Sequence, residues 1–544
     1  MKNKVIDLLK DSKSLIAFGV ILRIAYFIIN LFIGGSHIDE AMTALNAGNL
    51  VNNLTDLNGE HLPVYFDTWL YGGQSPFATY LTALSVKIFG FNLFGIRIFA
   101  LIFSILGFIA FCGFVNEVFG KNRCTTVMKA FAAISPWMIF SGVYVLDCNY
   151  IGHILIIAFY FLARAVNGKG LKNYFLSMVF FGLSFYCYMA SVVFVPFILL
   201  SVYLVLIIKK RISFKELAVS VITVFIVATP FILQGLVSVG IISDFKLLGF
   251  SFSKMGYYTR NSEVLLSDGN GIAHMLLSAA LNLIIGAGLT FCMTANALTV
   301  DLNTFQFATI FGALLAIIGI ICVIKSAFRD KKRFSFIQKL FIIGSAVGIF
   351  CFYFFVNQPM NDVIYRYGHL SYLMIPFIGI GFMEFIGNMK KLSFKKTLAV
   401  LLSLSFVFFN IQFAVYAKHI PDANEIIYGD AFYSCLDAAE EGESVNVYTT
   451  KVHFLGRESI YIRYHYFGSD YGFQSFEDEQ IKRVTGDYST ASLTRNGDFK
   501  IHYIEDKTEL TEDFNIVPTD EIEMFDFGSE YNIQSFGFWS VVSK

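Results

Sequence analysis

Charged residues are scarce in this chain: lysine, arginine, aspartate and glutamate together make up 15% of its 544 residues, whereas 56% are apolar. An ordinary soluble domain carries about 25% charged residues. The basic and acidic residues number 41 each, so the formal net charge is zero. Because nucleic acids are bound largely through excess positive charge, we exclude them as partners.

Motifs for nucleotide binding and redox chemistry are also missing. The sequence has no Walker or Rossmann glycine pattern, which argues against ATP-driven transport and soluble nucleotide-sugar chemistry. None of the eight cysteines forms a C-x-x-C pair, and only Cys435 lies in the polar C-terminal part. We therefore predict no metal-ligating residues and no certain cofactor, although two carboxylates of one outer face could hold a divalent cation.

Long apolar runs are what the chain has in abundance. Several approach or exceed the roughly 20 residues that cross a bilayer, which predicts a polytopic α-helical membrane protein with about eleven transmembrane helices. No small-residue cleavage site follows the first run, so we expect a retained anchor. The predicted spans are residues 14–35, 92–118, 130–145, 150–166, two within 174–208, 217–236, 305–324, 336–356, 369–386 and 397–416. We expect the third of them to be interrupted by Pro136 and Trp137.

The distribution of basic residues predicts the orientation. Four lysines within residues 2–13 keep the N-terminus cytoplasmic. The apolar run 272–293 is long enough to span, but crossing there would place the basic cluster 325–333 outside, so we predict a re-entrant or interfacial segment. An odd number of spans then puts the polar tail outside the cell membrane, together with the first loop.

The composition divides the chain at about residue 416. Residues 1–416 form the predicted transmembrane domain, and residues 417–544 a small extracytoplasmic α/β domain whose role is structural or acceptor-binding. Its predicted strands are 445–449, 499–504 and 532–542, and its predicted helices are 430–441 and 457–467.

The acidic residues that follow the first span are the leading catalytic candidates. A carboxylate at the hydrocarbon boundary is costly unless it has a partner or a function. We interpret Asp39 as a catalytic base, with a helix cap as the alternative. Adjacent helical residues point about 100° apart, so the neighbouring Glu40 need not share that role. Asp147, after the third span, is the other acidic candidate, or else a cap of the fourth span.

Basic and aromatic residues of the same outer face are candidates for substrate binding. Arg97 lies near the outer end of the second span, where it binds a donor phosphate or pairs with a loop acid. Arg366 is a candidate phosphate ligand, or an interface anchor beside Tyr365. Lys87, His61 and Tyr365 complete this set. A carboxylate that accepts a proton from a hydroxyl, beside cations that hold a leaving phosphate, suits transfer from a phosphate-linked donor.

The order of short motifs resembles the GT-C glycosyltransferases of the protein mannosyltransferase and aminoarabinose transferase type. The resemblance covers about the first 200 residues well and the rest only by topology. The motifs are His37-Ile38-Asp39-Glu40-Ala41, Gly73-Gln74-Ser75-Pro76-Phe77, Lys87-Ile88-Phe89-Gly90, Ile96-Arg97, Ser135-Pro136-Trp137 and Leu146-Asp147-Cys148-Asn149.

The resemblance implies roles for four of these residues. It implies that Asp39 is the base, with Glu40 beside it, and that the donor is a sugar on dolichyl or polyprenyl phosphate. It gives Asp147 an acceptor- or metal-facing role. Arg97 would order the site or bind the donor phosphate.

We therefore expect an integral membrane glycosyltransferase that acts with inversion. Its expected partners are a polyprenyl-phosphate sugar, membrane lipids, and a glycan, lipid or protein acceptor of the cell envelope. The alternative is a transporter or flippase of lipid-linked sugars, which should concentrate ionisable residues at the bilayer midplane in two related halves. A third possibility is an inactive scaffold that presents the tail.

Overall fold

The computed structural model describes most of the first 254 residues and parts of the remainder. The described ranges are 12–33, 36–67, 73–254, 272–289, 307–329, 332–355, 368–388, 430–438, 444–448, 460, 464–465, 467–468, 473–474, 492–495, 499–504, 514–525, 527–537 and 539–543.

Helices dominate this structure, which confirms the predicted fold class of an α-helical bundle with a small C-terminal domain. The helices are α1 (Ser12–Ile33), α2 (Ile38–Asn53), α3 (Pro76–Phe89), α4 (Leu93–Phe119), α5 (Arg123–Ile134), α6 (Pro136–Phe140), α7 (Asp147–Val166), α8 (Leu171–Ser184), α9 (Ser191–Ile208), α10 (Phe214–Ser238), α11 (Ile272–Leu289), α12 (Phe307–Phe328), α13 (Phe336–Phe355), α14 (Ser371–Asn388) and α15 (Asp430–Asp437).

Seven helices among the described residues are long and apolar enough to cross a membrane, namely α1, α4, α7, α9, α10, α13 and α14. The chain is therefore a multi-pass membrane protein. The other predicted spans fall on the shorter helices α5, α6 and α8 and on α12, except for residues 397–416, which lie outside the described ranges. Helix α11 packs against α12 and α13, and its re-entrant or interfacial character stays a prediction.

The interruption predicted at Pro136 and Trp137 within the span 130–145 is present as a break between two helices. Helix α5 ends at Ile134, Ser135 is extended (φ −61°, ψ 120°), and α6 starts at Pro136. Proline restricts the residue before it to extended conformations and donates no backbone hydrogen bond. After the short helix α6, residues 141–146 form a loop that leads into α7.

Two small β-hairpins lie in the loops of the membrane part. Strand β1 (Phe66–Asp67) pairs antiparallel with β2 (Gly73–Gln74), and β3 (Phe245–Leu247) pairs antiparallel with β4 (Phe250–Phe252). The first hairpin leads directly into α3, whose first turn contains Pro76.

The C-terminal part contains a mixed seven-stranded sheet in the order β10-β11-β9-β5-β8-β7-β6, in which β9, β5 and β8 are parallel. The strands are β5 (Ser444–Tyr448), β6 (Phe473–Gln474), β7 (Ser492–Arg495), β8 (Phe499–Ile504), β9 (Phe514–Pro518), β10 (Asn532–Phe536) and β11 (Trp539–Ser543).

Most of the predicted elements of this part are present. The strands predicted at 445–449 and 499–504 are β5 and β8, and the predicted helix 430–441 is α15. The strand predicted at 532–542 is wrong as one element, because Gly537 takes a left-handed conformation (φ 76°) and turns the chain back from β10 into β11. The helix predicted at 457–467 and the division at residue 416 fall largely outside the described ranges.

Helix α2 joins the two parts of the molecule. Its residues Ile38, Met42 and Leu45 share one hydrophobic core with Phe432 of α15 and Trp539 of β11. The C-terminal sheet is therefore docked on the helix that carries the first acidic candidates.

Candidate functional site

Glu40 and Arg97 form a buried, two-pronged ion pair. The Nε of Arg97 donates to Oε1 of Glu40 at 2.8 Å, and its Nη2 donates to Oε2 at 2.5 Å. Both side chains have a solvent exposure of 0%. Because an unpaired charge is costly inside a membrane bundle, each residue neutralises the cost of burying the other.

Further contacts tie this pair to three parts of the bundle. Arg97 also donates to the side-chain oxygen of Asn30 in α1, and its guanidinium lies 4.7 Å from the ring centre of Tyr144. The amide of Asn30 donates to the Tyr144 hydroxyl at 3.0 Å, and the backbone N–H of Val145 donates to Oε1 of Glu40 at 2.9 Å. The first turn of α2 is thus fixed against α1, α4 and the loop before α7.

Asp39, the immediate neighbour of Glu40, points elsewhere. Its side chain is 35% exposed. Nδ1 of His37 accepts the backbone N–H of Asp39 at 3.1 Å, which makes His37 the N-cap of α2, and the same nitrogen lies 3.8 Å from Oδ2 of Asp39. A carboxylate in the first helical turn is stabilised by the helix dipole. Asp39 is therefore held at a helix N-terminus with part of its carboxylate open to solvent.

Asp147 occupies the equivalent place in the first turn of α7 and is partly exposed. Its Oδ1 accepts the backbone N–H of Cys148 at 2.7 Å, and its Oδ2 accepts the hydroxyl of Ser75 at 3.4 Å. Burial, and second the charge of Asp147, raise the pKa of the Cys187 thiol well above its ordinary value. Asp147 thus lies between the start of α3 and the turn that joins α8 to α9.

Two consecutive residues connect the two aspartates. The side-chain amide of Gln74 donates to the backbone carbonyl of Asp39 at 3.2 Å, while Ser75 donates to the carboxylate of Asp147. The hydroxyl of Ser75 also lies 3.3 Å from that of Tyr65. Since residues 74 and 75 are adjacent in the chain, they connect the backbone of Asp39 with the carboxylate of Asp147.

Two of the other predicted residues lie apart from the aspartates. Lys87 is exposed in the last turn of α3, about 18 Å from Ser75 at a rise of 1.5 Å per helical residue. His61 is in a loop, where Nδ1 lies 3.1 Å from the carbonyl of Gly249. Neither residue has a described contact with Asp39 or Asp147. Arg366 and Tyr365 lie outside the described residues.

No cluster of three or more His, Cys, Asp or Glu side chains with metal-binding geometry occurs within the described residues. Asp39, its neighbour His37 and Asp147 therefore do not form such a cluster. The possibility of a divalent cation at the two aspartates stays a prediction of the sequence.

The C-terminal part contributes contacts that sequence reasoning missed, from residues between strands β5 and β6. Ser36 donates to the hydroxyl of Tyr464 at 2.8 Å. Phe91 stacks on Phe467 with ring centres 4.2 Å apart, and Phe467 lies directly against Gly48 of α2. The only sequence signal was the aromatic richness of the tail, which does not specify a partner.

This bundle, with acidic helix starts beside a docked C-terminal sheet, has the fold of the GT-C membrane glycosyltransferases, which confirms the predicted resemblance. Residues 73–233 match the model of the dolichyl-phosphate-mannose-protein mannosyltransferase family. The matched interval contains Gln74, Ser75, Arg97 and Asp147.

Solved structures agree with this assignment of the fold. The crystal structure of ArnT from Cupriavidus metallidurans bound to undecaprenyl phosphate superposes with a TM-score of 0.56, covering 98% of each chain at 12% identity. The apo state of the same protein gives a TM-score of 0.55 over 97% of each chain at 12% identity. A comparison with curated protein sequences finds no match.

Proposed function

We propose that this protein is an integral membrane glycosyltransferase that moves a sugar from a polyprenyl-phosphate donor to a hydroxyl-bearing acceptor. One observation carries the proposal: two partly exposed aspartates at helix starts are connected through the adjacent residues Gln74 and Ser75. The match to a family named for dolichyl-phosphate-mannose chemistry supports the donor class. The ArnT structure that shares the fold was solved with undecaprenyl phosphate.

Asp39 is the catalytic base in this proposal. A base must reach the proton that it takes from the acceptor, and the 35% exposure of Asp39 allows that approach. Glu40 is fully buried, and its two oxygens already accept hydrogen bonds from Arg97 and Val145. We therefore propose that Glu40 and Arg97 are positioning residues, which for Arg97 is the site-ordering role and not the phosphate-binding one.

The reaction is a single displacement at the anomeric carbon. As Asp39 accepts the hydroxyl proton, the acceptor oxygen forms a bond to the anomeric carbon, and the bond from that carbon to the phosphate oxygen breaks. The phosphate leaves with the electron pair of that bond, and the configuration at the carbon inverts. Positive side chains stabilise the charge that develops on the phosphate, and Arg366 remains our candidate for this role.

Asp147 orients the acceptor in this scheme. Its carboxylate is held by Cys148 and Ser75, yet it is partly exposed and can accept a hydrogen bond from an acceptor hydroxyl. Such positioning lowers the entropic part of the barrier. The proposal does not specify the sugar. The acceptor is a glycan, a lipid or a protein of the cell envelope.

The packing of the C-terminal sheet on α2 bears on which side of the membrane each part of the chain lies. Because the C-terminal sheet packs on α2, the tail lies on the same side of the membrane as Asp39. We propose that this side is extracytoplasmic and that the N-terminus is cytoplasmic, as the early lysines indicate.

Transfer is tested with the purified protein in lipid nanodiscs and synthetic polyprenyl-phosphate sugars of several sugar types. The expected result is release of polyprenyl phosphate with formation of a glycoside of opposite anomeric configuration, measured by mass spectrometry and NMR. Asp147→Asn should slow transfer, whereas Asp520→Asn, an exposed aspartate of the C-terminal part, is the matched control and should not. Translocation of intact donor across proteoliposomes without any glycoside product would instead establish the transporter alternative.

A further inference from the structure

We infer that the β3–β4 hairpin inserts its tip into the outer surface of the lipid bilayer. The hairpin tip consists of Leu247, Leu248 and Phe250, which are 48%, 90% and 41% exposed. Three large apolar side chains in a row are costly to expose to water. We propose that the lipid bilayer covers these side chains, because an apolar spanning helix and two lysines lie next to them.

The backbone conformation of the tip is one that asparagine or glycine adopts more readily than leucine does. Leu248 and Gly249 both have positive φ angles of 53° and 87°, which is the pattern of a two-residue turn that favours Asn-Gly. A leucine is unusual in this left-handed conformation. Its presence at the most exposed point of the hairpin is explained by a contact outside the protein.

The hairpin continues the lipid-facing surface of α10. That helix exposes Ile222, Phe225 and Ile226 and is apolar enough to span the membrane. It ends at Ser238, and β3 begins at Phe245. The short connection exposes Val239 and Ile241, so exposed apolar side chains occur on the spanning helix, on the connection and at the hairpin tip, with Ser243, Asp244 and Lys246 exposed between them.

Charged groups beside the tip fit the headgroup region. Lys246 and Lys254 are both exposed, and lysines next to inserted apolar residues are typical of segments that lie in a membrane interface. Asp244 is the neighbouring acid, and its carboxylate accepts the backbone N–H of Lys254. The hairpin thus combines an apolar tip with two ammonium groups that can reach lipid phosphates.

The opposite side of the hairpin is fastened to the loop that leads to the site. The N–H of Ser251 donates to the carbonyl of Leu62 at 3.1 Å, and the N–H of Val64 donates to the carbonyl of Ser251 at 3.1 Å. The next residue along, Tyr65, contacts Ser75, which holds Asp147. If the proposed function is correct, the inserted tip fixes the height of the aspartates above the leaflet that delivers the lipid donor.

Insertion is tested by tryptophan fluorescence in nanodiscs whose lipids carry brominated acyl chains. For Leu248→Trp, and separately for the more conservative Phe250→Trp, we expect added emission that is blue-shifted and quenched by brominated chains but protected from aqueous iodide. The control is Ile533→Trp, at a residue 44% exposed on strand β10 of the C-terminal sheet, where we expect iodide quenching alone. Spectra of the unsubstituted protein supply the background from its own tryptophans.

The outcome does not depend on sugar transfer. Iodide quenching without bromolipid quenching at both hairpin positions would overturn the inference even if the protein proves to be a transferase. Conversely, bromolipid quenching in a protein that transfers no sugar would leave the inference standing and refute the proposed function. For an active protein, Leu247→Ser combined with Leu248→Ser should slow transfer from a long-chain donor more than from a water-soluble short-chain donor.

Discussion

Ser36 and Tyr464 lie 428 residues apart in sequence, and the hydroxyl of Ser36 donates to that of Tyr464 at 2.8 Å. Ser36 stands three residues before Asp39. The C-terminal part of the chain therefore holds the segment that carries the proposed base. This contact gives the tail a role that its own sequence does not reveal.

Tyr464→Phe should lower kcat with little change in KM. The variant removes one neutral hydrogen bond, which is worth about 1 kcal/mol and corresponds to roughly a fivefold change in rate. The effect falls on kcat because the bond positions Asp39 without touching substrate. Steady-state kinetics measures this split, with Tyr531→Phe in the same C-terminal part as the control. Equal losses in both variants would show only general damage to the sheet.

Gly48→Ala should weaken the docking of the C-terminal sheet. An alanine in a helix is ordinarily about 1 kcal/mol more favourable than a glycine, but a Cβ at position 48 would collide with the ring of Phe467. We expect faster proteolysis of the tail. We also expect that hydrogen exchange in α2 does not become slower. The double variant Gly48→Ala with Phe467→Ala should relieve the collision. A protease resistance unchanged by Gly48→Ala alone would contradict this packing.

Glu40→Gln should strongly destabilise the protein. The change leaves the buried guanidinium of Arg97 without its carboxylate, and breaking a buried ion pair in this way costs about 3–5 kcal/mol. The free energy of unfolding in detergent micelles measures the loss. Glu117→Gln is a suitable comparison, because its partner Lys169 is largely exposed and such pairs contribute roughly 0–1 kcal/mol. Similar losses of stability in the two variants would refute the stabilising role of the buried Glu40–Arg97 ion pair.

Ser75→Ala should reduce transfer without changing stability much. The hydroxyl of Ser75 contacts both Asp147 and Tyr65, so its removal frees the Asp147 carboxylate to adopt other rotamers. Misplacement of a positioning group by about 1 Å costs roughly 100-fold in rate, so we expect kcat/KM to fall by up to about that factor. The control is Ser85→Ala, whose hydroxyl bonds only locally to Thr82 within α3. Full activity of Ser75→Ala would exclude a positioning role.

Local patterns were enough to predict much of the fold. Apolar runs identified the helices that span the membrane, and residues such as Asn92 and Ser213 cap α4 and α10 where the predicted spans begin. In the tail, strands β5 and β8 were predicted, whereas β6, β7 and β9 were missed. The failure in the last predicted strand came from a single residue that stops the element, Gly537, whereas the interruption of the third span at Pro136 was predicted.

The division of labour between Asp39 and Glu40 could not be predicted from the sequence. It depends on Arg97, 57 residues away from Glu40, and on the N–H of Val145, 105 residues away. Only packing decides which of two adjacent carboxylates is enclosed. The linking residues Gln74 and Ser75 were part of a recognised motif, but nothing local showed that one faces Asp39 and the other Asp147.

The most direct test of the proposed mechanism compares Asp39→Asn with Glu60→Gln, a neutralised acid in the loop before β1. Each variant is measured in nanodiscs for transfer from a polyprenyl-phosphate sugar, for donor binding and for thermal unfolding. Loss of a general base costs roughly 10²–10⁴-fold in rate, so Asp39→Asn should lose transfer to this extent while it binds donor and unfolds like the unsubstituted protein. Transfer by Asp39→Asn at the rate of Glu60→Gln would contradict the assignment of Asp39 as the base.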